Sequence, residues 1–213
     1  MKLWEREKLT PHVPCRYERF AKPVIDKVGG LLLTLVAAPP MALIAITIAV
    51  TDRHSPIYRQ ARVGRDGKIF TMYKFRTMRP DRRVSQGSAF GPDRRRHHKT
   101  PNDPRLTRLG RILRKWSLDE LPQLWNVVLG HMSLVGPRPE MPMIVERYEP
   151  WQHQRHQVKP GVTGLWQVSQ RGEGAMHENT EVDLRYLERI SLWTDLGILM
   201  RTIPAALGYR TGY

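Results

Sequence analysis

The sequence predicts an α+β fold, mostly helical, in two parts. Residues 1–53 form an N-terminal interfacial segment and an apolar helix, and residues 54–213 form a small soluble domain. Three observations lead there. Residues 28–50, VGGLLLTLVAAPPMALIAITIAV, run for 23 residues without a charge. Residues 56–78 read as two β-prone runs around an Asp66-Gly67 turn signal. Beyond residue 103, apolar residues recur at helical spacing between Gly/Pro turns.

The apolar run is long enough for a bilayer, since about 20 such residues suffice. A secretory leader is a poor match, because its apolar core is about 7–15 residues long and lies nearer the start. Pro39-Pro40 falls at the centre of the run. Prolines donate no backbone N–H and disfavour helical dihedrals in the residue before them. The expectation is a break at 39–40 into two halves of about 11 residues, each roughly 16 Å long. Neither half spans about 30 Å of hydrocarbon. Both flanks are basic, with Arg16, Arg19, Lys22 and Lys27 before the run and Arg53, Arg59, Arg62 and Arg65 after it. Positive charge holds a flank in the cytoplasm, so both ends belong on one side. A re-entrant helix satisfies both facts; a kinked single span and a buried core helix are the alternatives.

Upstream, Tyr17, Phe20, Val24 and Val28 recur at helical spacing beside Arg16, Arg19 and Lys27, the pattern of an interfacial amphipathic helix. Near the C-terminus Leu184, Leu187, Ile190, Trp193, Leu196 and Leu199 form a second stripe. Its ordinary role is packing within the domain, although Trp193 and Arg201 also suit a membrane surface.

In the second β-run, Phe70, Met72, Lys74 and Arg76 share one face and Ile69, Thr71, Tyr73 and Phe75 the other. Lys74 and Arg76 together reach one anion, or they are two solvated strand charges. Residues 79–104 lack an apolar period and read as a flexible loop. His97-His98 within it has no partner ligands at metal-binding spacing. A helix is expected from Asp103 as cap and Pro104 as first residue, with Leu106, Leu109, Leu113 and Trp116 on one side and Arg105, Arg108, Arg111 and Lys115 on another. A break at Ser117 precedes a helix over 118–129, with Leu121, Leu124, Trp125 and Val128 inward.

The net charge of +15 is concentrated: residues 1–50 carry +3, residues 51–115 carry +14 and residues 116–213 carry −2. Such a block calls for an anionic partner, whether nucleic acid, acidic headgroups or phosphorylated small molecules. Cys15 is alone, which excludes an internal disulfide and a thiolate metal cluster.

Against that basic block stands SLDELPQL, 117–124. Ser117-x-x-Glu120 fits a capping box, with Glu120 reaching back to the serine. Adjacent carboxylates beside Arg111, Arg114 and Lys115 also fit chemistry: one attacks phosphorus and the other holds a divalent metal. Gly136-Pro137-Arg138-Pro139 is a rigid turn that aims one arginine, suited to a bidentate phosphate contact or to solvent. In KPGVTGLWQV, 159–168, a Gly/Pro turn leads into a short strand, with Lys159 and Trp166 as candidates for holding a nucleotide.

In order along the chain, YRQARVGRDGKIFTMYKFRTM, DPRLTRLGRILRKWSLDELPQLWNVVLGHMSLVGPRPE, VKPGVTGLWQVSQR and DLRYLERISLWTDLGILMRTIPAAL closely resemble the bacterial sugar transferases, the monotopic phosphoglycosyl transferases that act on polyprenyl phosphate. The resemblance covers about residues 17–209 and suggests the minimal catalytic form. It implies a small cytoplasmic catalytic domain held on the inner membrane by a Pro-broken re-entrant helix. It implies transfer of a sugar-1-phosphate from a UDP-sugar to undecaprenyl phosphate with release of UMP, at the start of exopolysaccharide, capsule or O-antigen synthesis. On this sequence Asp119 would be the nucleophile, forming a phosphosugar-aspartate intermediate, and Glu120 would bind Mg2+. Lys74, Arg76, Arg114, Arg138 and Lys159 would serve the phosphates. The implied partners are the UDP-sugar, undecaprenyl phosphate and anionic inner-leaflet lipids, with a homo-oligomer allowed and no nucleic acid. Glucose or galactose is favoured over N-acetyl sugars. Two departures stand out: His131 in GHMS where the family commonly has an acid, and SQRGEG at 169–174 in place of a shorter turn. A membrane-tethered nucleic-acid binder explains the charge but leaves Asp119-Glu120 without a task. A single-span scaffold would put the chain's two ends on opposite sides of the membrane.

Overall fold

The computed structural model describes residues 11–79, 103, 105–169 and 179–206. A π-helical turn, Tyr17–Ala21, leads directly into α1, Lys22–Asp52. The expected break at Pro39-Pro40 is absent: α1 stays helical through both prolines. The fixed φ of proline is itself close to helical. The carbonyls of Leu35 and Val36 lose their N–H donors, and the flanking turns carry the helix across.

α1 is amphipathic in an inverted sense. Lys22 and Asp26 are buried, whereas Val24, Val28, Leu31, Leu32, Leu35 and Val36 are exposed, as is Phe20 just before the helix. The inward side forms a polar hub around Asp195. Tyr17 donates from its hydroxyl to Asp195 Oδ2 at 2.8 Å, Lys22 Nζ does so at 2.5 Å, and Tyr186 donates to Oδ1 at 2.8 Å. The backbone N–H of Leu134 donates to Asp26 Oδ1 at 3.0 Å. Farther along α1, Met41, Ile44, Ala45 and Ile48 pack on Phe75 and Leu113.

β1, Ile57–Val63, and β2, Ile69–Phe75, form the expected antiparallel hairpin, with Ile57 opposite Phe75 and Val63 opposite Ile69. Asp66 and Gly67 both take positive φ, 55° and 71°, the requirement of a type I′ turn. Phe70 and Met72, which share a face, enter the main core; Phe75, on the other face, is buried as well, because α1 covers that face.

α2 is Arg108–Lys115, four residues later than expected. Thr107 caps it, its Oγ1 accepting from Gly110 N at 2.9 Å. Asp103 instead closes a local turn with Arg105, accepting from its backbone N–H at 2.9 Å and from its guanidinium at 2.7 Å. Most of the loop over 79–104, with His97-His98, and most of SQRGEG lie outside the described residues. The helix expected over 118–129 is two pieces, a 3-10 turn Leu118–Glu120 and α3, Gln123–Val128, parted by Leu121-Pro122. Leu124 and Val127 point inward, while Trp125 is exposed. Two three-residue strands, β3 (Ser133–Val135) and β4 (Gly161–Thr163), pair in parallel, with α4, Pro142–Val145, and a 3-10 segment, Pro150–Gln157, between them. α5, Leu165–Ser169, α6, Thr180–Glu188, and α7, Leu192–Ala206, complete the domain. In the C-terminal stripe Leu187 and Ile190 are buried, but Trp193 and Leu196 are exposed; elsewhere on α7 Ile198 is buried and Met200 and Ile203 are exposed.

Candidate active site

Four elements converge on the pair 119–120. β2 contributes Lys74, α2 contributes Arg114, the 3-10 turn carries both carboxylates, and the turn after β3 contributes Arg138. The register between β2 and α3 is fixed by fully buried Asn126. Its Oδ1 accepts from Tyr73 N at 3.1 Å and its Nδ2 donates to Thr71 O at 2.7 Å, in the manner of an extra strand beside β2. Lys74 follows directly and reaches the turn that precedes α3.

Glu120 is the centre of the ion network. Lys74 Nζ lies 2.7 Å from its Oε1. Arg138 grips both oxygens, Nη2 at 2.7 Å from Oε1 and Nη1 at 3.2 Å from Oε2, the fork geometry that guanidinium provides. Burial pushes the Glu120 carboxyl up, but Arg138 and Lys74 outweigh it and hold it well below the usual carboxylate range. Lys74 is lowered, by burial first, with Glu120 opposing that loss. Arg138 is raised, chiefly by Glu120.

Asp119 is different. Among the described residues its carboxylate accepts no hydrogen bond. Its pKa is raised, by burial first and then by the neighbouring Glu120, against the pull of Lys74, Arg114 and Arg138. Two adjacent acids are thereby divided into a tied anion and an untied, more basic carboxylate, the separation of roles that paired carboxylates need. Arg114 donates from Nε to Thr77 Oγ1 at 3.0 Å, which anchors it beside the pair.

The capping box does not form. Ser117 sits in the left-handed region at φ 55° and makes no side-chain cap, and Glu120 turns to Lys74 and Arg138 instead. A non-glycine residue there is strained, and such strain gathers at functional sites.

Arg76 and Lys159 stand off the cluster. Arg76 donates from Nε to Ser55 O at 2.7 Å and lies over the Tyr58 ring. Lys159 Nζ lies beside Gly130, at the far end of α3 from the carboxylates. Trp166 is buried in a small core with Val182, so it is not available to stack on a nucleotide. Asn126, Thr77 and the supports of Arg138 escaped the sequence reading, since a buried asparagine or threonine carries no spacing signal.

The described residues contain no group of three metal-ligating side chains. A divalent cation of the Mg2+ kind is commonly held by one or two carboxylates with substrate phosphates completing the shell. A carboxylate has about four lone-pair positions, and Lys74 and Arg138 occupy three on Glu120. One position on Oε2 and the carboxylate of Asp119 are left, a donor set that fits this mode.

The bacterial sugar transferase model matches residues 17–209. The chain belongs to the bacterial sugar transferase family. It is 42% identical to a UDP-galactose-lipid carrier transferase of Erwinia amylovora, over 89% of this chain and 41% of the relative. It is 40% identical to the UDP-glucose:undecaprenyl-phosphate glucose-1-phosphate transferase of Caulobacter vibrioides, over 90% of this chain and 72% of the relative. The exopolysaccharide production protein ExoY of Rhizobium meliloti is 37% identical, over 91% of this chain and 88% of the relative. The chain thus spans about two fifths of the length of the first relative and most of the third.

Proposed function

We propose that this bacterial sugar transferase moves a sugar-1-phosphate from a UDP-sugar to undecaprenyl phosphate, releasing UMP, through a covalent intermediate on Asp119. The observation that carries the proposal is the asymmetry of the pair: Glu120 is locked by Lys74 and Arg138, and Asp119 is untied with a raised pKa. The relatives' names favour a glucose or galactose donor and a role in exopolysaccharide production.

Asp119 Oδ attacks the phosphorus that bears the sugar. The bond from that phosphorus to the bridging oxygen breaks, and UMP leaves with the oxygen. An oxygen of the lipid phosphate then attacks the same phosphorus, the bond to Asp119 breaks, and the carboxylate is restored. One site thereby serves a soluble donor and a lipid acceptor in turn. Lys74, Arg114 and Arg138 bring three positive charges against two carboxylates, leaving an excess for the diphosphate. Mg2+, held by Glu120 Oε2 and Asp119, would supply further neutralisation of phosphate charge.

The domain is proposed to lie on the cytoplasmic face of the inner membrane. The exposed apolar sides of α1 and α7 and the basic segment support this, since the first suit lipid and the second suits anionic headgroups. The test is UMP release from a panel of UDP-sugars with Mg2+ and undecaprenyl phosphate. Wild type is expected to use one donor, Asp119→Asn and Glu120→Gln to be silent, and wild type with labelled donor alone to retain sugar-phosphate on the protein. Full activity in Asp119→Asn would remove the covalent step.

A further inference from the structure

The turn that aims Arg138 is held in an unusual way. Pro137 and Pro139 have no N–H, so the segment leans on its carbonyls. Four consecutive carbonyls are secured, each by a different donor. Pro137 O accepts from Gly161 N at 2.9 Å, Arg138 O from Arg155 Nη2 at 2.7 Å, Pro139 O from Arg62 Nη1 at 3.2 Å, and Glu140 O from Val63 N at 2.8 Å. The link at Arg138 itself is therefore a side chain, and a costly one. Arg155 is 2% exposed. Its charge is met by Asp183, with Nη2 2.6 Å from Oδ2, and by the hydroxyl of Tyr148, which accepts from Nη1 at 2.6 Å.

We infer that Arg155, braced by Asp183 and Tyr148, is a positioning residue for the transfer reaction: it fixes the backbone of Arg138 so that the guanidinium meets Glu120 as a fork. A buried ion pair is weak support for stability, because the desolvation of both ions offsets their attraction. Here the pair ends on the carbonyl of the residue that grips both oxygens of Glu120, and a guanidinium has the donors to meet a carboxylate, a hydroxyl and a carbonyl together. Lysine at 155 keeps the charge for Asp183 but lacks the planar fork.

The inference rests on the transferase reading, and the experiment separates the two. UMP release would be measured for wild type, Arg155→Lys, Arg138→Lys and the double variant, with donor KM, kcat and a thermal melt for each. Arg155→Lys is expected to lower kcat about 10- to 100-fold, the scale of a small misplacement of a catalytic group, with donor KM little changed. In the Arg138→Lys background the same change is expected to add little, because its effect runs through the lost fork. Val182→Ala, in the separate Trp166 core, is the control that lowers the melting point without a loss of kcat. If Arg155→Lys does not fold, Tyr148→Phe replaces it in the same cycle, removing one brace and leaving the ion pair. Losses that multiply in the double variant overturn the inference and leave the transferase reading standing. A wild type that releases no UMP from any donor overturns both.

Discussion

At the scale of single residues, identical chemistry is given opposite tasks by what surrounds it. Asp119 and Glu120 are neighbours in sequence, yet of the two only Glu120 accepts hydrogen bonds from Lys74 and Arg138. The pairing leads to a prediction on pH. Because the Asp119 carboxyl is raised, it takes up a proton at higher pH than an ordinary aspartate, near 3.9. In the metal-free protein the Asp119 carboxyl should therefore titrate above that range, which carboxyl NMR in the presence of a chelator reads. A metal-free titration at or below the ordinary aspartate value would remove the asymmetry of the pair; bound Mg2+ is expected to draw the carboxyl down. Ser117 yields a second test. Its left-handed φ costs a non-glycine residue roughly 1 kcal/mol, so Ser117→Gly should melt above Ser117→Ala, since both lose the side chain's interaction and only glycine relieves the backbone. An alanine variant at least as stable as the glycine variant would remove the strain.

At the scale of elements, the sequence was legible where one local rule acted alone. The hairpin with its Asp66-Gly67 turn follows from side-chain alternation and the positive φ that glycine permits. The candidate pair at 119–120 stood out through its basic neighbours in the sequence. Boundaries decided by competing partners were not legible. Asp103 satisfies the rule for a cap, but Arg105 captures its carboxylate and Thr107 caps α2 instead. Ser117-x-x-Glu120 satisfies the capping-box pattern, but Lys74 and Arg138, 46 and 18 residues away, outcompete the serine for Glu120. Trp166 and Trp125 exchanged their expected settings because a tryptophan's burial depends on which element covers it. The 3-10 segment Pro150–Gln157 carries its own prediction. His156 is held well below its ordinary pKa by burial, then by Arg155 and His153, and His153 is lowered by burial. Below about pH 6.5 the unfolded chain takes up protons that these folded imidazoles refuse. Stability should fall as pH drops below that value and level off above it. Replacing both histidines with glutamine should flatten this part of the melting-point profile; an unchanged slope would place its origin elsewhere.

At the scale of the whole molecule, the decisive feature is where α1 meets the domain. A helix that crossed a bilayer would touch a one-sided domain at one end only. Here the beginning of α1 is bound through Lys22 to Asp195 and through Asp26 to Leu134, and its end is packed through Ile48 on Phe75 and Leu113. Both ends thus contact the domain, although the helix is long and apolar enough to span. The prolines that suggested a break leave α1 helical. Packing alone thus holds both ends of α1 against the domain. Cys15 precedes α1, is exposed, and is the chain's single cysteine, which makes the test direct. In inverted and right-side-out vesicles, a membrane-impermeant maleimide should label Cys15 and, in a Cys15→Ser background, His54→Cys from the same side, the cytoplasmic one. Leu35→Cys, on the exposed apolar side of α1, should resist the reagent until detergent is added. Labelling of positions 15 and 54 from opposite sides would establish a single span and would require α1 to leave the domain at one end, breaking either the Asp195 hub or the Ile48 contact.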